Sequence, residues 1–319
     1  KTNDPTRYYW LSDQLVLPAS IKQSGVNIIH ILDQLSAPII KNTKTIVTVH
    51  DLMQLGRYGN PNLKNRLKIS PIKYADKIIA ISQSTKKDIV DILKIPANKI
   101  KVTYLSYREK EFSVKSSPRK IREFKNQKLH ANIHNYFLYV GSYGDFDKRK
   151  NLDFLLDIFN QYITKRNAKN TALVMIGKLG KESQRIEKRA AELGIKDQVI
   201  FTGFISTEDL VFYYKSAEIF LFPSLYEGFG IPPLEAMASG CPVIASNQSS
   251  VPEVVGDGGI LLDPQDQNAW IKAIAEIISK PKFKDQLVDK GYQQAKNFSW
   301  EKCARETLEV YKKVYNGKN

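Results

Sequence analysis

Phe222-Pro-Ser-Leu-Tyr-Glu-Gly-Phe-Gly-Ile-Pro-Pro-Leu-Glu-Ala-Met-Ala-Ser-Gly-Cys-Pro-Val-Ile-Ala-Ser246 is the stretch on which the reading of this chain turns. It opens at the end of an apolar run, passes through a turn bearing Gly228 and Gly230, and enters a helix in which Pro233 takes an early position. Proline suits the first turn of a helix because the N–H it lacks has no partner there in any case. A glycine turn leading from a strand into a helix N-terminus can offer backbone N–H groups to a phosphate. Two carboxylates, Glu227 and Glu235, stand around that turn. Carboxylates repel bound phosphate, so they read as acceptors for hydroxyls on either side of it, those of a sugar and those of a ribose.

The pattern continues outward from this segment. Tyr136 to Val140, Ala172 to Ile176, Val199 to Phe201, Ile219 to Phe222, Val243 to Ala245 and Gly259 to Leu262 are apolar runs of strand length. Helical patterns lie between or after them at Leu152 to Ile163, Glu182 to Leu193, Ser206 to Lys215, Pro233 to Ala238 and Gln267 to Ile278, with Ser206 and Asp209 spaced as a capping box. Six strands joined by short connections make a complete doubly wound domain. Earlier in the chain, Asn27 to Leu32, Thr45 to Val49, Lys77 to Ile81 and Lys101 to Leu105 read as strands, and Lys64 to Tyr74 and Ser84 to Leu93 as helices, the second capped by Ser84. Such alternation implies a mostly parallel sheet covered on both faces. The expected division is one Rossmann-like domain over 1–120, a second over 121–297, and a helix over 298–319 that crosses back to the first domain or stays with the second. The first domain has four strands and no early glycine-rich turn, so either its opening strands precede this chain or it is a small partner domain. Tyr107 to Arg119 reads as a linker or as an excursion before the second domain.

The 319 residues are enough for two cores, since single cores stop growing near about 250 to 300 residues. With 42% hydrophobic and 25% charged residues the composition is that of a globular protein. The apolar runs are too short for a membrane-spanning helix, which needs about 20 residues, and no signal peptide is read at the start. Two cysteines, Cys241 and Cys303, cannot form a disulfide framework, and a reducing, cytoplasmic setting follows as the simpler expectation. Net charge is +15, with 21 basic against 9 acidic side chains in residues 1–120 and 27 against 24 in the remainder. The first domain therefore carries most of the excess, as a protein facing an anionic membrane surface would; simple solvation by lysine is the competing reading. Zinc-finger spacing and RNP-type aromatic motifs are missing, so nucleic acid is not expected. The histidines do not cluster at ligand spacing, so no metal is expected.

Read together, these segments resemble the family 4 retaining glycosyltransferases, whose Glu-x7-Glu motif corresponds to Glu227 and Glu235. Tyr139-Val-Gly-Ser142, Arg149-Lys-Asn-Leu152, His50-Asp51, Ile81-Ser-Gln-Ser84, Ser250-Val-Pro-Glu253 and Phe298-Ser-Trp300 add to the resemblance, which covers nearly the whole chain. It implies the GT-B fold, two Rossmann-like doubly wound domains facing each other across a cleft, with 1–120 on the acceptor side and 121–297 binding the nucleotide sugar. It also implies transfer of a hexose of the mannose or glucose type, with retention, from a nucleotide-diphosphate sugar to a hydroxyl of a glycan or lipid-linked glycan. By the same resemblance Glu235 binds the ribose, Glu227 contacts the transferred sugar, and Lys150 with Arg149 neutralises the departing diphosphate. His50 reaches the donor sugar, unless it is a structural partner of Asp51. Gly228, Phe229, Gly230 and Ile231 form the backbone cradle, with core packing beneath the turn as a second role for Phe229. Where many relatives carry an arginine after the glycine corresponding to Gly141, this chain has Ser142, and Arg149 or Lys178 takes over that charge. Glu253 is read as architectural and Cys241 as a packed small residue. A lysine in the place of a metal makes a cofactor unnecessary, and work at the inner face of the membrane makes the protein cytoplasmic or peripheral. Two alternatives come from other classes: a sugar-nucleotide epimerase or phosphorylase-like enzyme, and a noncatalytic nucleotide-sugar-binding protein.

Overall fold

The computed structural model describes residues 16–40, 42–56, 61–114, 116–129, 133–141 and 148–317. The chain divides into two compact units, Lys1–Leu105 with Trp300–Asn319 and Ser106–Ser299. The first runs α1 (16–24), β1 (Ile28–Ile31), β2 (Lys44–Val49), α2 (Leu63–Ile69), β3 (Lys77–Ala80), α3 (Gln83–Leu93) and β4 (Ile100–Val102). The second runs α4 (Glu109–Phe112), α5 (Pro118–Lys128), β5 (Asn135–Val140), α6 (Leu152–Arg166), β6 (Thr171–Ile176), α7 (Lys181–Glu192), β7 (Val199–Gly203), α8 (Thr207–Ser216), β8 (Ile219–Phe222), α9 (Ile231–Ala238), β9 (Val243–Ser246), α10 (Val251–Val255), β10 (Ile260–Leu262), α11 (Gln267–Ser279) and α12 (Pro281–Ala295). Helix α13 (Trp300–Tyr315) belongs to the first unit.

Both sheets are parallel throughout. The second has six strands in the order β10-β9-β8-β5-β6-β7. Its chain path starts in the middle at β5, moves out to β7, then returns to β8 on the other side, so the strand order reverses between β5 and β8. In open α/β sheets the crevice beyond the carboxyl ends of the strands at such a reversal is where ligands bind. Tyr136 to Tyr139 and all of Ile219–Phe222 are buried, as central strands covered on both faces must be.

The first unit is a four-stranded sheet in the order β1-β2-β3-β4. Alternate side chains of a strand point to opposite faces, and here the two faces meet different helices. Val47, Val49, Ile78 and Ala80 share a core with Ile69 and Ile89 of α2 and α3, whereas Ile46 and Ile79 pack with Val310 and Val314 of α13. His30 of β1 joins this second layer, 2.6 Å from the Tyr311 hydroxyl through Nδ1 and 2.7 Å from the Thr48 hydroxyl through Nε2.

Several elements differ from the expectation. The division expected at 120/121 falls at 105/106, because the segment read as a linker forms α4 and the start of α5, and these pack on α8 through pairs such as Phe112 with Tyr214 and Phe124 with Phe212. Helix α3 is capped by Ser82, whose hydroxyl accepts from Thr85 N at 2.9 Å, and Ser84 lies inside the helix. Ser206 does cap α8, accepting from Asp209 N at 3.1 Å, while the Asp209 carboxylate accepts from Lys128 at 2.8 Å. The helix expected over Lys64 to Tyr74 tightens into a 3-10 turn at Ser70–Tyr74, where Pro71 has no N–H to continue the ladder.

Candidate active site

Lys150 and Glu227 form the centre of the site. Lys150 sits in the turn Lys148–Lys150 that follows β5 and leads into α6, and Glu227 in the turn that follows β8, so both stand at the carboxyl ends of the two strands where the order reverses. Lys150 Nζ donates to Glu227 Oε1 at 2.6 Å, each side chain being 13% exposed. The ammonium also lies 6.0 Å from the centroid of the Phe222 ring. A short, charge-assisted pair with little solvent screens poorly. Loss of one partner from a fully buried pair costs about 3 to 5 kcal/mol; this pair, still in touch with water, stands below that.

The turn from Pro223 to Gly230 has no regular ladder of its own and is held from outside. Leu225 N donates to Arg149 O at 2.6 Å, which ties the β8 turn to the β5 turn. Asn151, in the left-handed region at φ 54°, donates from Nδ2 to Pro223 O at 3.3 Å and to Pro264 O at 3.0 Å. The Ser249 hydroxyl donates to Glu227 O at 2.7 Å, and the Ser250 hydroxyl lies 2.8 Å from Glu227 O and 2.6 Å from Phe229 O. The Ser246 hydroxyl donates to Ser224 O, and with Ser249, Ser250 and Asn151 it fixes the turn. Sequence reasoning did not single out their hydroxyl and amide contacts, because Asn247-Gln-Ser-Ser250 reads as an ordinary loop and its partners lie about twenty positions away.

Gly230 has φ +124° and ψ 52°, a conformation that costs a side-chain-bearing residue and not glycine. It delivers the chain into α9, where Ile231 keeps its N–H and Pro232 and Pro233 have none. The two prolines bring no N–H to the first turn of α9, so that of its first three residues Ile231 alone carries one. Phe229 is buried, its ring edge-on to Phe298 with centroids 5.8 Å apart. Its side chain is a packing element and its backbone lines the turn.

Glu235 stands one turn further along α9, partly buried, and Oε2 accepts from the Tyr214 hydroxyl at 3.1 Å. Burial is the main cause that pushes its pKa up to about 7, against the Tyr214 hydrogen bond and the Arg108 charge, which lower it, and with the Glu111 charge, which raises it. Gly141 follows β5, and a Cβ there would come 2.5 Å from the Tyr139 hydroxyl, so a larger residue would have to displace that ring. Ser142 lies outside the described residues. Lys178 is exposed in the turn after β6, at the carboxyl edge next to Gly141, whose N donates to Ile176 O at 2.9 Å.

His50 ends β2 in the first unit. Its Nε2 donates to Leu32 O at 2.9 Å, while Asp51 accepts from Met53 N at 2.9 Å; the expected alternative, a His50–Asp51 side-chain pair, is replaced by these two backbone contacts. Glu253 lies in α10. Cys241 is buried, and burial pushes its thiol well above the ordinary range, which makes it a packed residue and not a nucleophile. Among the described residues no group of three or more His, Cys, Asp or Glu side chains is gathered as a metal would require, and no helix is long and apolar enough to cross a membrane.

Residues 120–294, more than half of the chain, match the family described as Glycosyl transferases group 1. The chain belongs to the group 1 glycosyl transferases. Residues 2–106 of this group 1 chain match Glycosyltransferase Family 4. O-antigen chain mannosyltransferase B of Escherichia coli is 33% identical over 242 residues, covering 75% of this chain and 61% of that protein. The serotype-specific mannosyltransferase WbdA of the same organism is 28% identical over 281 residues, covering 85% of this chain and 34% of that protein. The group 1 chain thus spans less than two thirds of the length of these curated relatives. Sucrose-phosphate synthase of Thermosynechococcus elongatus shares its fold, the GT-B class of two Rossmann-like units, with a TM-score of 0.78 at 24% identity over 94% of this chain and 77% of that one.

Proposed function

We propose that this protein is a retaining glycosyltransferase that moves a hexose from a nucleotide-diphosphate sugar to a hydroxyl of a glycan or lipid-linked glycan. The observation that carries the reading is the 2.6 Å contact between Lys150 and Glu227 at the reversal of strand order. As the sugar leaves, negative charge grows on the departing phosphate oxygen, and a fixed ammonium stabilises it there. Without donor, Lys150 has Glu227 as its counterion; with donor, the ammonium turns to the diphosphate and the freed carboxylate accepts hydroxyls of the sugar. The amides of Gly228 to Ile231 receive the diphosphate and sugar, Glu235 the ribose, and Arg149 and Lys178 add positive charge at the same strand edge. His50 serves the sugar from the first unit. The leaving phosphate takes the proton of the attacking hydroxyl, so transfer occurs on one face of the ring and keeps the anomeric configuration. With Lys150 as the cation, the reaction needs no metal.

The Escherichia coli relatives are named as mannosyltransferases, one of them for the O-antigen chain, which favours mannose as the sugar and a growing polysaccharide as the acceptor. The excess of basic residues over 1–120 supports work in the cytoplasm beside an anionic membrane.

The test is radiolabelled transfer from GDP-mannose and UDP-glucose to polysaccharide acceptors, with and without chelator. Glu227→Gln and Lys150→Ala are expected to lower kcat roughly 100-fold or more with unchanged circular dichroism, and chelation to leave the wild type unaffected. Wild-type turnover in both variants sinks the assignment. Product formed without any acceptor points instead to an epimerase or phosphorylase-like reaction.

A further inference from the structure

We infer that Arg108 reads the nucleobase of the donor, and that the base it fits is guanine. The inference rests on the donor-site reading above, with the diphosphate at the glycine turn and the ribose on Glu235. A nucleotide is a linear object. If its diphosphate lies at Gly228 to Ile231 and its ribose one helical turn along α9, its base continues past Glu235, toward whatever packs on α9 there.

What packs there is α8 and α4. Glu235 accepts from Tyr214 of α8 at 3.1 Å, and the Tyr214 ring meets Phe112 of α4 edge-on with centroids 5.9 Å apart. Arg108 is the residue that opens α4. Its Nη1 donates to the Thr207 hydroxyl, at the first position of α8, at 3.0 Å, and lies 3.6 Å from Glu111 Oε2. The guanidinium is therefore pinned at the meeting point of α4 and α8, on the flank of α9 that holds Glu235. It is close enough to Glu235 for its charge to act on that carboxylate. The fold does not use it up: its side chain is 64% exposed, and among the described residues one neutral hydrogen bond and one longer ion pair leave most of its five N–H donors available.

A guanidinium has no acceptor and a planar fork of donors, so it favours base edges with two adjacent acceptors. Guanine presents O6 and N7 side by side; adenine replaces O6 with an amino donor, and uracil offers isolated carbonyls. Glu111 acts as a positioning residue that holds the fork in place from one turn along.

Titration calorimetry of GDP, UDP, ADP and inorganic diphosphate against the wild-type chain, Arg108→Ala, Arg108→Lys and Glu235→Ala tests this. The wild type is expected to bind GDP most tightly. Arg108→Ala should weaken GDP roughly tenfold while UDP, ADP and diphosphate change less than about twofold, and lysine, lacking the fork, should not restore the preference. A wild-type preference for UDP or ADP overturns the inference. So does an unchanged GDP affinity in Arg108→Ala, or an equal loss for all four ligands, which would make Arg108 a general source of charge. If Glu235→Ala weakens every nucleotide while Arg108→Ala changes nothing, this inference fails and the donor site stands; if the wild type binds no nucleotide, or Glu235→Ala binds all of them normally, both fail.

Discussion

Glu235 is a carboxyl whose charge the fold holds in the balance near neutral pH. Its pKa stands at about 7, against 4.5 for an ordinary glutamate, burial being the chief cause. The folded chain therefore holds a proton that the unfolded chain releases between those values, and stability falls as pH rises from about 4.5 to 7, by about 3 kcal/mol at most from this group. Urea titrations across that range should show the slope in the wild type and lose it in Glu235→Gln. Nucleotide affinity should run the other way, rising with pH toward 8, because only the ionised carboxylate offers all its lone pairs to ribose hydroxyls; calorimetry at pH 5.5 and 8 measures it. Ser250 makes a second prediction at this scale. Its hydroxyl lies against two carbonyls of the turn, so Ser250→Ala should cost about 1 to 3 kcal/mol and raise the donor KM. A normal KM with lowered stability would confine the residue to folding. Glu227 and Glu235 can be picked out in the sequence as carboxylates flanking a glycine turn, and Lys150 through the family resemblance alone. The serine contacts cannot, because a hydroxyl's partner is decided by which loop folds beside it.

Among the elements, α13 shows most clearly how a strand pattern calls for a partner that the pattern cannot name. Ile46 and Ile79 make one face of the first sheet apolar, and a parallel sheet needs cover on both faces. That cover comes from Val310 and Val314 at the far end of the chain. Val310→Ala with Val314→Ala removes about four buried carbons, worth about 3 kcal/mol, and is expected to speed hydrogen exchange in β1 to β3 while leaving β5 to β8 protected. Equal loosening of both sheets would show that α13 matters to the whole chain and not to one unit. The amphipathic pattern from Trp300 onward marked the helix, yet apolar residues at helical spacing are the same whichever sheet they will cover. Helices α4, α5 and α12 were missed for a related reason: α5 carries eight charged or amide side chains in Pro118–Lys128, a composition that reads as a linker until Phe124 is seen buried against Phe212 and Tyr213.

For the whole molecule, the division of labour between the units follows from how the chain is routed. The second unit is continuous in sequence, Ser106–Ser299, and holds Lys150, Glu227, Glu235 and Arg108 together. Expressed alone it should fold cooperatively and bind nucleotide without transferring sugar, as circular dichroism and calorimetry would show. Residues 1–105 alone should remain loosely folded, since α13 is absent, and regain a sharp transition when α13 is fused back through a flexible linker. A cooperative 1–105 fragment would refute the role given to α13. The alternation of apolar runs with amphipathic segments determined by itself that both units are parallel α/β sheets, because strand and helix periods are local properties of a chain. It also determined where a phosphate-cradling turn could stand. Only the tertiary structure decided that Lys150 meets Glu227, that three serines and Asn151 hold the turn, that the units divide after Leu105, and that the last helix returns to the first sheet. Each of these depends on which distant surfaces pack together, and packing is chosen by the shape and burial of the whole fold rather than by any window of sequence.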